Sequence, residues 1–129
     1  MTVGDRMTRY PVTVSRDDTL AQAQEKLRSG GFRQIPVVED RRLIGILSDR
    51  DIRRHGRHSI AAKVQSAMTS ELITVSPRMP LEEAARLLLI HKIGALPVLD
   101  ENELVGIIST SDILQAFVDL VASKSQSDK

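Results

Sequence analysis

Two hydrophobic periods alternate along the chain, and the whole alternation is written twice. Leu20, Ala23, Gln24 and Leu27 recur at i, i+3, i+4 and i+7, as do Leu81, Ala84, Ala85 and Leu88, and this spacing predicts two amphipathic helices. Thr19 is placed to cap the first helix and Gly30-Gly31 to end it. Ahead of each helix a brief run, Val12-Thr13-Val14 or Ile73-Thr74-Val75, has the β-branched content of a strand and ends at Ser15 or Ser76. Behind the first helix, Ile35-Pro36-Val37-Val38 and Leu43 to Leu47 flank the polar turn Glu39-Asp40-Arg41-Arg42; behind the second, Leu96-Pro97-Val98-Leu99 and Leu104 to Ile108 flank Asp100-Glu101-Asn102-Glu103. Both read as hairpins. Proline cannot donate to a ladder, so Pro36 and Pro97 are expected at a strand start or edge. A last helix opens near Asp49 and again near Thr110.

The two copies are offset by 106 − 45 = 61 residues, the distance from Gly45 to Gly106. Pairing at that offset needs no gap from Val3/Val64 to Ile52/Ile113, and identities such as Met7/Met68, Thr8/Thr69, Pro36/Pro97, Ser48/Ser109 and Asp51/Asp112 are spread throughout. With 129 residues, 41% of them hydrophobic, the chain is expected to hold two half-size units that share an interface, neither stable alone. The expected fold class is α/β of the α+β type: repeat one over residues 3–58, a linker at 59–63, repeat two over 64–122 and a disordered tail at 123–129. Within the linker region, Ser59 to Val64 is expected to form a further helical turn.

Candidate chemistry gathers at the last turn of each copy, Gly45-Ile46-Leu47-Ser48-Asp49-Arg50-Asp51 and Gly106-Ile107-Ile108-Ser109-Thr110-Ser111-Asp112. Unpaired N–H groups at a helix start favour anions, and a carboxylate there accepts hydrogen bonds from a sugar diol. Competing with this, Asp51 and Asp112 suit a helix first turn, Ser48 and Ser109 suit ordinary caps, and Gly45 and Gly106 suit close backbone packing. The basic run Arg50, Arg53, Arg54, His55, Arg57, His58 fits either phosphate contact or a solvated face. His55 and His58 stand at i, i+3 without a nearby third ligand, so no metal is expected. His91 suits a helix C-terminus.

Composition removes several classes. The chain has no cysteine, so disulfides and thiolate chemistry are excluded. A net charge of +1, with Tyr10, Phe32 and Phe117 as the three aromatics, argues against a nucleic-acid binder. No apolar run reaches the roughly 18 residues of a membrane span, and the N-terminal residues lack the order of a signal peptide, so a cytoplasmic protein is expected. No nucleophile stands beside a matching base, and the repeated aspartates look like symmetry mates, so the expectation is not an enzyme.

Taken together, the repeated Met-Thr opening, the Leu/Ile-Pro-Val strand and the Gly-h-h-Ser-x-x-Asp turn resemble a tandem pair of CBS domains, a Bateman module, over about residues 3 to 122. The resemblance implies two βαββα repeats packed about a pseudo-twofold axis, often paired again as a homodimer. It further implies adenosine-type ligands, AMP, ADP or ATP and sometimes S-adenosylmethionine, in clefts between the repeats, sensed without chemistry and with no cofactor. Matched residue by residue, Asp51 and Asp112 take the place of the ribose-binding aspartate, and Ser48 and Ser109 that of the hydroxyl near ribose and phosphate. By the family pattern the Asp51 cleft is lined by Thr74, Ile93, Gly94 and Ala95 before Pro97, and the Asp112 cleft by Thr13, Phe32, Arg33 and Gln34 before Pro36. Arg33-Gln34 aligns with a His-Arg pair that contacts phosphate in some relatives, so Arg33 is expected to serve the Asp51 ligand together with Arg50 or Arg53. Ser111 and Thr110 place hydroxyls where the first copy has Arg50 and Asp49. The small wall Ile93-Gly94-Ala95 makes the Asp51 cleft the expected tighter site.

Two other readings remain at this point. One is an interaction module with empty clefts, dimerising or docking an unidentified protein target through faces such as Phe117-Val118-Asp119-Leu120-Val121; the other is an enzyme.

Overall fold

A computed structural model describes residues 1–55 and 61–127. Its elements are α1 (Val3–Arg6), β1 (Thr8–Arg9), β2 (Val14–Ser15), α2 (Leu20–Gly30), β3 (Gln34–Glu39), β4 (Arg42–Ser48), α3 (Asp49–His55), a 3-10 turn (Val64–Ser66), α4 (Leu81–His91), β5 (Ala95–Asp100), β6 (Glu103–Ser109) and α5 (Thr110–Ser127). Gly56, Arg57, His58, Ser59 and Ile60, which include part of the expected linker, lie outside the described residues, as do the last two residues of the tail. α5 continues through Ser127, into the stretch expected to be a disordered tail.

Two compact units result. One comprises Tyr10–Ile73 with Glu101–Leu104; the other comprises Met1–Arg9, Thr74–Asp100 and the chain from Val105 onward. In the first, Val14, Leu20, Ala23, Leu27, Ile35, Val37, Leu47, Ile52 and Val64 form one buried cluster. In the second, Val3, Val75, Leu81, Ala84, Leu88, Leu96, Val98 and Ile108 are buried, and each is the 61-residue counterpart of a member of that cluster. The helices end as their sequences dictate. Thr19 Oγ1 accepts from the Gln22 N–H while Gln22 reaches back to the Thr19 N–H, a reciprocal capping box, and Gly31 closes α2 at φ 69°. Lys92 takes the same left-handed place after α4, at φ 54°.

Sheet order is β2-β3-β4 in one unit and β1-β6-β5 in the other. β2 runs parallel to β3, β3 and β4 form an antiparallel hairpin, and β1 pairs antiparallel with β6. Both prolines sit third in their strands and not at a strand start; Pro36 lies in β3, the central strand of its sheet, whereas Pro97 lies in β5, which ends its sheet order with a single bridge to Val75 beyond it. In β5, the Val75 N–H donates to the Pro97 carbonyl and the Leu99 N–H donates to the Val75 carbonyl. The next bond of this parallel ladder would need a Pro97 N–H directed at Ile73, and proline has none. The expected strand Ile73-Thr74-Val75 therefore shrinks to a single bridge, Val75 with Val98. By the repeat, Pro36 limits β2 to two residues, while the Thr13 carbonyl accepts from Lys26 Nζ at 2.9 Å.

The Met-Thr segments close the sheets. Thr69 exchanges both backbone bonds with Ile46 of β4, at 2.9 and 3.0 Å. In the other unit, Thr8 and Arg9 pair with Ile107 and Gly106 of β6. Beside them Val3 is fully buried, the Val3 N–H donates to the Met79 carbonyl at 2.9 Å, and Arg6 pairs with Asp119 at 2.6 Å. Burying Val3 contributes up to about 3 kcal/mol, whereas the Arg6–Asp119 pair is open to water and screened by it. Apolar packing therefore does more than the ion pair to hold Met1–Arg9 in place.

Candidate functional site

In both repeats the hairpin's last strand runs directly into a helix, and the serine that ends the strand caps it. The Ser48 N–H donates to Asp51 Oδ2 at 2.9 Å while the Asp51 N–H donates to Ser48 Oγ at 3.1 Å. The Ser109 N–H donates to Asp112 Oδ2 at 2.9 Å, and the Asp112 N–H donates to Ser109 Oγ at 3.3 Å. This is a capping box with an aspartate at its third position. The capping explanation of these residues is therefore real, and it uses one carboxylate oxygen of each pair. Oδ1 of Asp51 and Oδ1 of Asp112 receive no hydrogen bond among the described residues. Each half-buried aspartate keeps an acceptor, and the second N–H of each helix, on Arg50 or Ser111, takes no partner in the box. A diol at the carboxylate and an anion near the helix start suit that pair of groups.

The loop before each proline strand locks the helix start from the other side. The Asp49 N–H donates to the Arg33 carbonyl at 2.9 Å, and the Thr110 N–H donates to the Gly94 carbonyl at 3.0 Å. Within one unit the structure thus brings Ser48, Asp51 and the Arg33 backbone together, with Gln34 opposite Ser48 in the β3–β4 register. Within the other it brings together Ser109, Asp112 and Gly94. Of the remaining candidates, Thr74 and Ile93 are exposed, whereas Ala95, Pro97 and Pro36 are buried. Phe32 packs on its own unit's core, with its ring against Gly30, where an added Cβ would lie 1.9 Å from ring Cε1.

The copies differ in detail. Ser109 Oγ also donates to Asp112 Oδ2 at 3.0 Å, so its proton is engaged; Ser48 Oγ accepts the Asp51 N–H and retains its proton for another acceptor. Of the cations expected beside Asp51, Arg53 pairs with Asp49 at 3.6 Å, while Arg33 and Arg50 are exposed and make no ion pair among the described residues. Among the described residues no three His, Cys, Asp or Glu groups converge as a metal site.

The repeated glycines support packing. A Cβ on Gly45 would lie 2.6 Å from Met68 Sδ, and one on Gly106 would lie 2.5 Å from Met7 Sδ and 2.9 Å from the Thr8 carbonyl oxygen. Each Met-Thr segment lies on the glycine of a final strand. The sequence held the signal for this contact, since Met, Thr and Gly all recur at one offset, although no spacing announces which hairpin each segment joins.

Comparison with known proteins agrees with the fold. A family model for the CBS domain matches residues 3–58 and 63–119, and the chain belongs to that family as a tandem CBS-domain protein. It is similar to the CBS domain-containing protein YhcV of Bacillus subtilis, 38% identical over 115 residues, which are 86% of this chain and 81% of that one. A putative acetoin utilization protein (AcuB) from Vibrio cholerae superposes with a TM-score of 0.86 at 32% identity, covering 98% of this chain and 96% of that one. CBSX2, solved in complex with AMP, superposes with a TM-score of 0.80 at 30% identity, covering 92% and 97%. No described helix is long and apolar enough to cross a membrane.

Proposed function

We propose that this chain is a regulatory module that binds an adenine nucleotide, AMP, ADP or ATP, senses cellular energy in the cytoplasm as a homodimer, and passes the signal to a partner protein without catalysis. The observation that carries this reading is the free Oδ1 on each capping-box aspartate, positioned by a serine that both repeats share. The AMP complex of CBSX2 supports the ligand class. Asp51 and Asp112 take the ribose diol, with Ser48 and Ser109 beside it, and the residue sets assigned to each by the family resemblance complete the two sites. The Asp51 site is the tighter one, because the Ser48 hydroxyl proton and the unpaired Arg33 and Arg50 remain available to phosphate. A ligand shifts the module only through different affinities for its two states.

The test is calorimetric titration of AMP, ADP, ATP and S-adenosylmethionine into the wild type, Asp51→Asn and Asp112→Asn. Asparagine keeps a capping acceptor and loses the second one, so the fold stays and the diol contact goes. Binding reduced about tenfold or more, chiefly in Asp51→Asn, supports the reading. Equal losses remove the inequality of the sites, and no binding by any of the four ligands turns the reading toward an interaction module.

A further inference from the structure

Of the four methionines, two recur in the repeat and two do not. Met7 and Met68 match at the 61-residue offset, whereas Met1 and Met79 correspond to Ala62 and Asp18. The recurring pair shares one environment. Each sulfur lies over the glycine of a final strand, so that a Cβ on Gly106 or Gly45 would stand 2.5 or 2.6 Å from it, and the nearest backbone atom to that same point is a threonine carbonyl oxygen, 2.9 Å away for Thr8 and 3.1 Å for Thr69. Both methionines are half-buried, so each sulfur has a packed side while its residue is not sealed from water. The chain has no thiol to compete, which leaves the thioether as its most oxidisable side chain.

We propose that Met7 and Met68 are modification sites for hydrogen peroxide, and that their oxidation frees the two Met-Thr segments from β6 and β4. The thioether sulfur gives a lone pair to one peroxide oxygen. The O–O bond breaks as the S–O bond forms, and the other oxygen leaves as hydroxide and takes the proton of the transferred one to become water. Sulfur is thereby oxidised by two electrons and the peroxide reduced by two. The product is a polar sulfoxide whose oxygen needs a hydrogen-bond donor. On its packed side the sulfur meets the glycine backbone and a carbonyl oxygen, itself an acceptor, with no room for an added atom. On its open side the oxygen takes water and draws the sulfur off the glycine. Either product loosens the same contact: Thr8 and Arg9 beside Ile107 and Gly106 in one unit, and Thr69, which exchanges both backbone bonds with Ile46, in the other. β6 and β4 end in Ser109 and Ser48, so an oxidant acts on the strands that deliver the two capping boxes. The inference goes beyond the function proposed above and does not depend on nucleotide binding.

Peptide mass spectrometry and amide exchange of the full chain, before and after treatment with hydrogen peroxide, test this on the wild type and on Met7→Leu/Met68→Leu. Leucine keeps the apolar volume and lacks the sulfur, so the circular dichroism of the untreated variant should match the wild type. Should the double variant not fold, the two single changes carry the same comparison, each protecting its own segment. In the wild type, one added oxygen is expected on each of Met7 and Met68, with exchange of the Ile46 and Thr69 amides and of residues 8–9 faster by about tenfold or more. The variant still carries Met1 and Met79, so peroxide is expected to oxidise it without loosening either segment. Met7 and Met68 left unmodified when Met1, 57% exposed, is fully oxidised overturns the sites. Sulfoxides at both positions with unchanged exchange, or the same loosening in the oxidised variant, overturns their effect.

Discussion

Gly106→Ala tests the contact that closes the sheet of the second unit. The added methyl would stand 2.5 Å from Met7 Sδ, 3.0 Å from Met7 Cγ and 2.9 Å from the Thr8 carbonyl oxygen, all inside ordinary contact distance. Met7 can rotate away, since its thioether is flexible. The Thr8 carbonyl cannot, because it belongs to the β1–β6 ladder, in which Thr8 and Arg9 face Ile107 and Gly106. Either β1 shifts or the ladder lengthens, and overpacking of this kind costs about 1–3 kcal/mol. Gly45→Ala meets Met68 Sδ at 2.6 Å but the Thr69 carbonyl only at 3.1 Å, so its cost is expected at the low end of that range. Urea unfolding of the two variants, of Met7→Ala and of Met7→Ala/Gly106→Ala gives the answer. The double variant should recover the sulfur part of the penalty and keep the backbone part, a coupling of about 0.5 kcal/mol or more. A Gly106→Ala protein within about 0.5 kcal/mol of wild type would refute the close approach and, with it, the packing account of the repeated glycine.

Two further outcomes follow from the turns and from the N-terminal segment. Arg41 and Asn102 hold φ of 68° and 69° in two-residue hairpin turns where glycine is preferred; Arg41→Gly should stabilise by up to about 1 kcal/mol in urea unfolding, and Asn102→Gly should be close to neutral because asparagine tolerates this region. The Asp119 carboxyl is held below the ordinary carboxylate value chiefly by its hydrogen bond from Arg6, and the Asp5 carboxyl chiefly by the Thr2 backbone N–H. A lowered folded-state pKa means that the stabilisation is complete above the ordinary value of 3.8 and is lost as pH falls through the folded-state value beneath it. Acid titration followed by amide exchange of residues 1–9 should show this segment loosening first, and Asp119→Asn should flatten that dependence.

Much of the fold was legible because it is written in side-chain periodicity. α2, α4 and both hairpins appear as apolar spacings, and Thr19 and Gly31 mark helix ends by their chemistry. What escaped depends on backbone pairing. β1 is two exposed residues with no alternation to betray it, so nothing in Thr8-Arg9 tells which hairpin receives it. The prolines were expected at a strand start or edge because a missing N–H costs a bond; Pro97 lies in the strand that ends its sheet order, while Pro36 stands in the central strand beside the two-residue β2. The site was half legible: Ser48-x-x-Asp51 reads as a cap, and only the geometry shows that the cap uses one carboxylate oxygen and leaves the other without a hydrogen bond among the described residues.

The pairing of Thr8 with Ile107 spans 107 − 8 = 99 residues, and this sets an order of events during synthesis. Tyr10–Ile73 has most of its unit's partners in hand once Thr69 emerges. Met1–Arg9, made before Tyr10–Ile73, meets β6 only roughly 5–20 s later at ordinary translation rates. Throughout that interval the buried Val3 and the methionine destined for Gly106 are exposed on a nascent chain. Substitutions that burden this segment should therefore show themselves in the yield of soluble protein before they register in the stability of the finished fold.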